Sequence, residues 1–426
     1  MNAGWRCAVC AAHVDLAEPL AWRCPKATNG DLHHALELVS NDRALIDGGG
    51  NNPFLAFREH LAVDGFAAAL GMTPAARRAL IGDLDAKIAA VAGTGFVRTP
   101  TQRDDALSDA LGFTADGGIW LKDETDNVGG SHKSRHLFTI LAHLAVLEAT
   151  KRAPWKRRPD LAISSCGNAA VAAATLAAAV EWPLRVFVPE WADTTVVTIL
   201  GAFGAFVERC PRRPDDPPGD PCLHRFRAAV AGGAIPFSVQ GTENVWCLDG
   251  GRTIGWEAAS VGVDFDHAFV QVGGGALAAG LSAGLALGGQ RARINAVQTE
   301  SCAPLHRAWN MLVTHGGSDR PGQHWDQAMW PWENVGSSAA DGILDDETYD
   351  WIPVVQALAA TGGTTVVCTE HQIADAHRLV HEYTTINASA TGTAALAGLL
   401  AAHDRVDRDQ RVLIPITGVQ RATMQP

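Results

Sequence analysis

Lys133 stands in Gly129-Gly130-Ser131-His132-Lys133-Ser134-Arg135, a setting in which an amine can be made nucleophilic. Ser131 has the side chain of a helix N-cap, and Leu137, Ile140, Leu141, Leu144 and Leu147 recur at helical spacing after it. Lys133 is therefore expected in the first helical turn. There the positive end of the helix dipole and the unsatisfied N–H groups disfavour an ammonium. A lysine that attacks an aldehyde must be neutral. Taken alone, the segment also fits a solvated surface lysine, so its partners have to decide.

Three further segments carry candidate chemistry. Ser164-Ser165-Cys166-Gly167-Asn168-Ala169-Ala170 is a small polar turn before an Ala-rich helix. It serves equally as an ordinary helix start. Val272-Gly273-Gly274-Gly275-Ala276 can cradle a phosphate on backbone N–H groups. Gly273, Gly275 and Ala278 also fit G-x-G-x-x-A, with Glu300 ending the next strand, so a nicotinamide-dependent dehydrogenase stays open. Thr417 closes the late apolar run Leu413-Ile414-Pro415-Ile416.

The elements that must position these residues alternate. Apolar runs at 118–122, 161–164, 184–189, 205–208, 267–272, 294–298, 365–368 and 412–416 read as strands. Helical patterns separate them, near 168–180 and 194–203 among others. The class is α/β, with mostly parallel sheets buried on both faces. Ligands in such sheets bind beyond the carboxyl ends of strands, and all four segments lie at such ends. The run 211–219, rich in Pro and Asp, is a loop.

Composition narrows the partners. The 426 residues are 47% hydrophobic and 19% charged, and the net charge is −12. That describes a multidomain globular chain with no electrostatic affinity for nucleic acid or anionic membranes. No apolar run is long enough to span a bilayer. Nine cysteines and no secretory h-region near Met1 place the expected location in a reducing cytoplasm.

In this order the four segments resemble the fold type II enzymes of pyridoxal 5′-phosphate, the tryptophan synthase β family, and within it threonine synthase. The resemblance runs from about Trp120 to Gly418. It implies two doubly wound domains with the cofactor in the cleft between them. The large domain would combine 51–136 with 245–426, and the small one would be 137–244. It further implies that Lys133 binds the cofactor's aldehyde, Asn168 its ring hydroxyl, and the N–H groups of Gly273, Gly274, Gly275 and Ala276 its phosphate. Thr417 would face the pyridine nitrogen, and His132 would approach the cofactor. Arg135 is expected in a structural ion pair. A homodimer acting on a small amino acid follows, with elimination or replacement as the reaction. Threonine synthase-like conversion of phosphohomoserine leads, and a threonine/serine ammonia-lyase is the alternative. A non-catalytic cofactor-binding protein is the remaining option.

The leader, residues 1–50, ends at the breaker 47–53. Its Cys7-x-x-Cys10 and Cys24 resemble the zinc ribbon of many threonine synthases, but position 27 is alanine where a fourth cysteine would stand. His13, His33 or His34 would have to complete a Cys₃His set. The expectation is a degenerate ribbon without metal.

Overall fold

A computed structural model describes residues 4–28, 31, 33–39, 44–217 and 219–421. Met1–Ala3, parts of the leader and Pro218 of the 211–219 loop lie outside these. The leader carries a three-stranded antiparallel sheet, β1 (Gly4–Cys7), β2 (His13–Asp15) and β3 (Leu36–Val39), in the order β2-β1-β3. Sequence periodicity misses these strands because runs of three or four residues are too short to show alternation.

The strands β4 (Thr101–Asp104) and β5 (Gly118–Asp123) open the main body. Next come β6 (Leu161–Ser164), β7 (Leu184–Val188), β8 (Phe206–Arg209) and β9 (Ile235–Pro236). The last are β10 (His267–Gln271), β11 (Arg293–Thr299), β12 (Thr364–Cys368) and β13 (Arg411–Ile416). They form two sheets. One has the order β8-β7-β6-β9 and is parallel throughout. The other has the order β12-β11-β10-β13-β5-β4 and is parallel except at its β4 edge. The polar β4, Thr-Gln-Arg-Asp, gives no apolar signal, which is why it escapes the sequence reading.

Alternation assigns the faces of the large sheet. Ala268 and Val270 of β10 and Leu413 of β13 pack with Ile254, Leu281 and Leu285 from the helices Trp246–Ala259 and Ala276–Leu287. Phe269, Val412 and Ile414 turn the other way, onto Ile373, Leu396 and Leu399. Each such Leu or Ile, fully buried, contributes roughly 1.5–3 kcal/mol. In the small sheet Ile163 and Val186 face one core, and Ala162 and Phe187 face Phe226 of the helix Pro221–Ala231. β5, β6, β10 and β13 all lie in the parallel parts of these sheets, and the Lys133, Asn168, Gly273 and Thr417 segments follow their carboxyl ends. No helix among the described residues is long and apolar enough to cross a membrane.

Candidate active site between the two sheets

Lys133 is the first residue of the helix Lys133–Ala149. Its cap is not Ser131, as the sequence suggests, but His132, which makes no side-chain cap bond. Ser131 is extended, at φ −165°, because it bridges to Gly418 just beyond β13. The lysine is half-buried, and burial lowers its pKa against the upward pull of Asp345, Cys247 and Asp350.

What fixes this helix start is a fully buried ion network. Arg135 Nε donates to Glu124 Oε2 at 2.7 Å and Nη1 to Glu257 Oε1 at 2.5 Å. Lys122 Nζ donates to Glu257 Oε2 at 2.6 Å and lies 3.4 Å from Glu124. Two cations and two carboxylates balance, and Thr99 bonds within the set. Burial pushes Glu124 up, but Arg135 and Lys122 outweigh it and hold its carboxyl down at about 2. Arg135 thus sits in a structural ion network.

The partners converge on the same place. The backbone N–H and Nδ1–H of His132 both donate to the Thr417 carbonyl, at 3.2 and 3.1 Å. Thr417 Oγ1 accepts from Gln271 Nε2 at 2.6 Å. A Cβ on Gly418 would lie 2.8 Å from Asn168 Nδ2, so Gly418 lets the Asn168 turn approach β13. Asn168 begins the helix Asn168–Ala179 behind Gly167, which supplies no side-chain cap. Gly275, at φ +99°, starts the helix Ala276–Leu287, also without one.

The glycine loop faces an acid. A Cβ on Gly273 would stand 2.5 Å from Asp345 Oδ2, and the nearby Gly274 N–H lowers the pKa of that carboxyl. Burial first, and then Asp346, push Asp345 up to about 6. Asp350 accepts from the Gly241 N–H at 3.0 Å, and burial pushes it up to about 7. Asp345, Asp350 and Gln271 are absent from the sequence reading. Only Gln271 leaves a trace, as an amide at the end of an apolar strand, a position that Gln298 shares.

The residues fit a planar ligand with a phosphate at one end. Ser131 Oγ, His132 Nε2 and Gln271 Oε1 are buried without hydrogen-bond partners among the described residues. Two helix starts without side-chain caps offer N–H groups, and Lys133 supplies an amine of lowered pKa. These are the donors, acceptors and amine that a pyridoxal phosphate requires.

The leader holds a second cluster. The ligand atoms of Cys7, Cys10, Cys24 and His34 all lie within 4.8 Å of one another. Cys7 Sγ is 3.4 Å from His34 Nδ1, and Cys10 Sγ is 3.6 Å from Cys24 Sγ. Of the three candidate histidines, His34 joins the cysteines. His33 stacks on Trp325, and His13 is in β2.

The sequence profile of a family described as "Pyridoxal-phosphate dependent enzyme" matches residues 93–418. No curated protein gives a significant match. Among solved structures, the chain is similar to a threonine deaminase from T.th., at 22% identity and a TM-score of 0.61, covering 81% of this chain and 99% of that one. It is also similar to maize serine racemase, at 18% identity and a TM-score of 0.61, covering 81% and 93%. Diaminopropionate ammonia lyase from Escherichia coli aligns at 18% identity and a TM-score of 0.61, covering 81% and 88%. At such identities the structures speak for the fold, and the profile speaks for the family: this chain belongs to the pyridoxal-phosphate dependent enzymes.

Proposed function

We propose that the protein is a lyase of the ammonia-lyase type, removing a β-hydroxyl or β-amino group from a small amino acid. The observation that carries this is the acidic surroundings of Lys133, where the carboxyls of Asp345 and Asp350 face the amine. Asp345, pushed up to about 6 and so mostly ionised at neutral pH, opposes a phosphorylated side chain, and threonine synthase-like chemistry on phosphohomoserine is the second reading, resting on the resemblance of the lysine segment. The names of two similar structures, a threonine deaminase and a diaminopropionate ammonia lyase, accord with elimination.

Lys133, Asn168, Thr417 and the N–H groups of Gly273, Gly274, Gly275 and Ala276 would hold the cofactor, with His132 beside them. Bound there, pyridoxal phosphate supplies an electron sink conjugated to the substrate's α-carbon. The Lys133 amine, held towards neutrality by burial, takes the α-proton at Nζ. Asp350, pushed up to about 7, holds a proton near neutral pH that a departing hydroxyl or amine can accept. Gln271 donates to Thr417 Oγ1, which leaves the Thr417 hydroxyl proton free for a ring nitrogen. A hydroxyl partner does not protonate that nitrogen, and the weaker sink favours elimination over transamination. The dehydrogenase alternative falls with membership of the family. Glu300, the strand-end acid on which that alternative leaned, accepts the Glu370 N–H at a helix start.

The test is direct. Purified protein reconstituted with pyridoxal phosphate should release ammonia and a keto acid from serine, threonine or 2,3-diaminopropionate. Phosphate release from phosphohomoserine without ammonia from these substrates would replace this reading with the synthase. Lys133→Ala should abolish the visible absorption of the bound cofactor and the activity together.

We further propose that Cys7, Cys10, Cys24 and His34 bind a structural zinc. Tetrahedral thiolate sites place sulfurs roughly 3.8 Å apart, close to the spacing here. His34 Nε2 also lies 2.9 Å from Asp31 Oδ2, the carboxylate partner that orients a metal-bound histidine.

A further inference from the structure

Beyond β13 the chain is stitched between the lysine loop and a neighbouring turn. The Ser389 N–H donates to the Gly418 carbonyl at 2.9 Å, and the Val419 N–H to the Gly130 carbonyl at 2.9 Å. The Gln420 N–H donates to the Asn387 carbonyl at 2.9 Å. This track delivers Arg421 to the turn after β6. Its Nη2 donates to Asn168 Oδ1 at 3.1 Å and to the Gly129 carbonyl at 2.6 Å, and its Nε lies 3.3 Å from the same Asn168 oxygen.

Two features of this contact need explaining. The Asn168 amide is oriented by it: Oδ1 is taken by a guanidinium, so Nδ2 is the atom left to donate elsewhere. Arg421 is half-buried, and burial lowers its pKa, yet no carboxylate pairs with it among the described residues. Its partners are neutral oxygens. A cation withdrawn from water without a counter-anion is costly, and the cost is offset when an anion binds beside it.

We propose that Arg421 is a positioning residue for the cofactor: it locks the Asn168 amide with Nδ2 facing the ring oxygen, and it sets a cation beside that oxygen. This rests on the assignment of Asn168 and Lys133 to the cofactor. The ring oxygen is a phenol whose ionised form a neutral amide stabilises only modestly. A guanidinium one residue behind the amide favours whichever form of the bound cofactor carries one proton fewer. The other titratable groups facing Lys133 are His132, His136, Cys247, Asp345 and Asp350. None of them touches Arg421, so they act alike in every variant.

The experiment is a pH titration of the visible absorption of cofactor-loaded protein, with melting temperature followed in parallel, for wild type, Arg421→Gln and Arg421→Lys. Gln can still donate to Asn168 Oδ1 but has no charge; Lys keeps the charge. The titration midpoint of Arg421→Gln should rise by about one pH unit, and that of Arg421→Lys should return towards wild type. Cofactor affinity of Arg421→Gln should fall about tenfold on the same principle. An unchanged midpoint in Arg421→Gln overturns the proposal, as does a shift that Lys leaves uncorrected, whatever the melting temperatures do. Wild type that takes up no cofactor and shows no visible band would remove the assignment of Lys133 instead, and this inference with it.

Discussion

Asp345 is where the site's electrostatics are most unusual for an enzyme that must grip a phosphate. Its carboxyl stands beside the Gly273–Gly274 backbone, where the proposed cofactor site would place a phosphate. The two anions compete, and the contest is pH-dependent because Asp345 is pushed up to about 6. Above that pH the carboxylate is charged and repels the incoming phosphate; below it, the protonated acid yields. Asp345→Asn should therefore bind pyridoxal phosphate more tightly than wild type at pH 7.5, by about tenfold, the effect of roughly 1.4 kcal/mol. The advantage should shrink at pH 5.5, where wild type has lost its own charge. Dissociation constants from absorbance titration at the two pH values check this. An advantage of equal size at both would show that Asp345 acts by bulk rather than by charge. Removing Asp345 also removes an anion that raises the Lys133 pKa, so the amine should become easier to deprotonate.

Elements of three or four residues, such as β1, β2 and β3, are marginal on their own and need a staple. Zinc in the leader would supply it. Wild type should carry one equivalent of zinc per chain by metal analysis, lost in Cys24→Ser and His34→Ala but kept in His13→Ala and His33→Ala. Equal zinc in all five proteins would exclude the Cys₃His set. Loss of metal should also lower the melting temperature of the whole enzyme, because the leader is bonded to its core. The Val245 N–H donates to the Trp22 carbonyl, and Trp246 Nε1 to the Ala21 carbonyl. The same contrast between local and distant contacts explains what the sequence could disclose. Strands β5, β6, β7, β10, β11 and β13 are apolar runs between breakers, so they and the segments at their ends are readable one at a time. Polar β4 and the two-residue β9 are not. Ser131 looks like the cap of the lysine helix because capping is a local rule, and it fails because Gly418, far along the chain, claims that backbone. Asp345, Gln271 and Arg421 act across gaps of more than a hundred residues, or on loops whose partners lie in other elements. Nothing next to them in the sequence marks them.

His143 ties the scales together, since leader, large-sheet helices and lysine helix meet at its ring. It lies on the helix Lys133–Ala149, stacks on Phe66 at 4.2 Å and packs against Trp246 at 4.2 Å. The Leu20 N–H of the leader donates to its Nε2 at 3.4 Å, while Nδ1 has no hydrogen-bond partner among the described residues. Wholly buried and facing no carboxylate, it is depressed by burial to about 3, from 6.5 when free. A folded pKa below the unfolded one means that the unfolded chain binds the proton first as pH falls. The neutral ring therefore contributes stability that is fully present above pH 6.5 and is lost between there and about 3, at about 1.4 kcal/mol per pH unit. Other buried groups titrate in the same range: His136 works in the same direction, while Asp345 and Asp350, raised acids, work in the opposite one. A difference between two proteins cancels all of them. His143→Phe keeps the ring stacking but loses the Leu20 bond, so it should be less stable than wild type at pH 7.5. Because it has nothing to protonate, its deficit should close as pH falls below 6.5 and reverse near pH 5. Urea midpoints for both proteins at pH 7.5, 6 and 5 measure the trend. A deficit that stays constant across that range would mean that the joint between leader and core opens to water around His143.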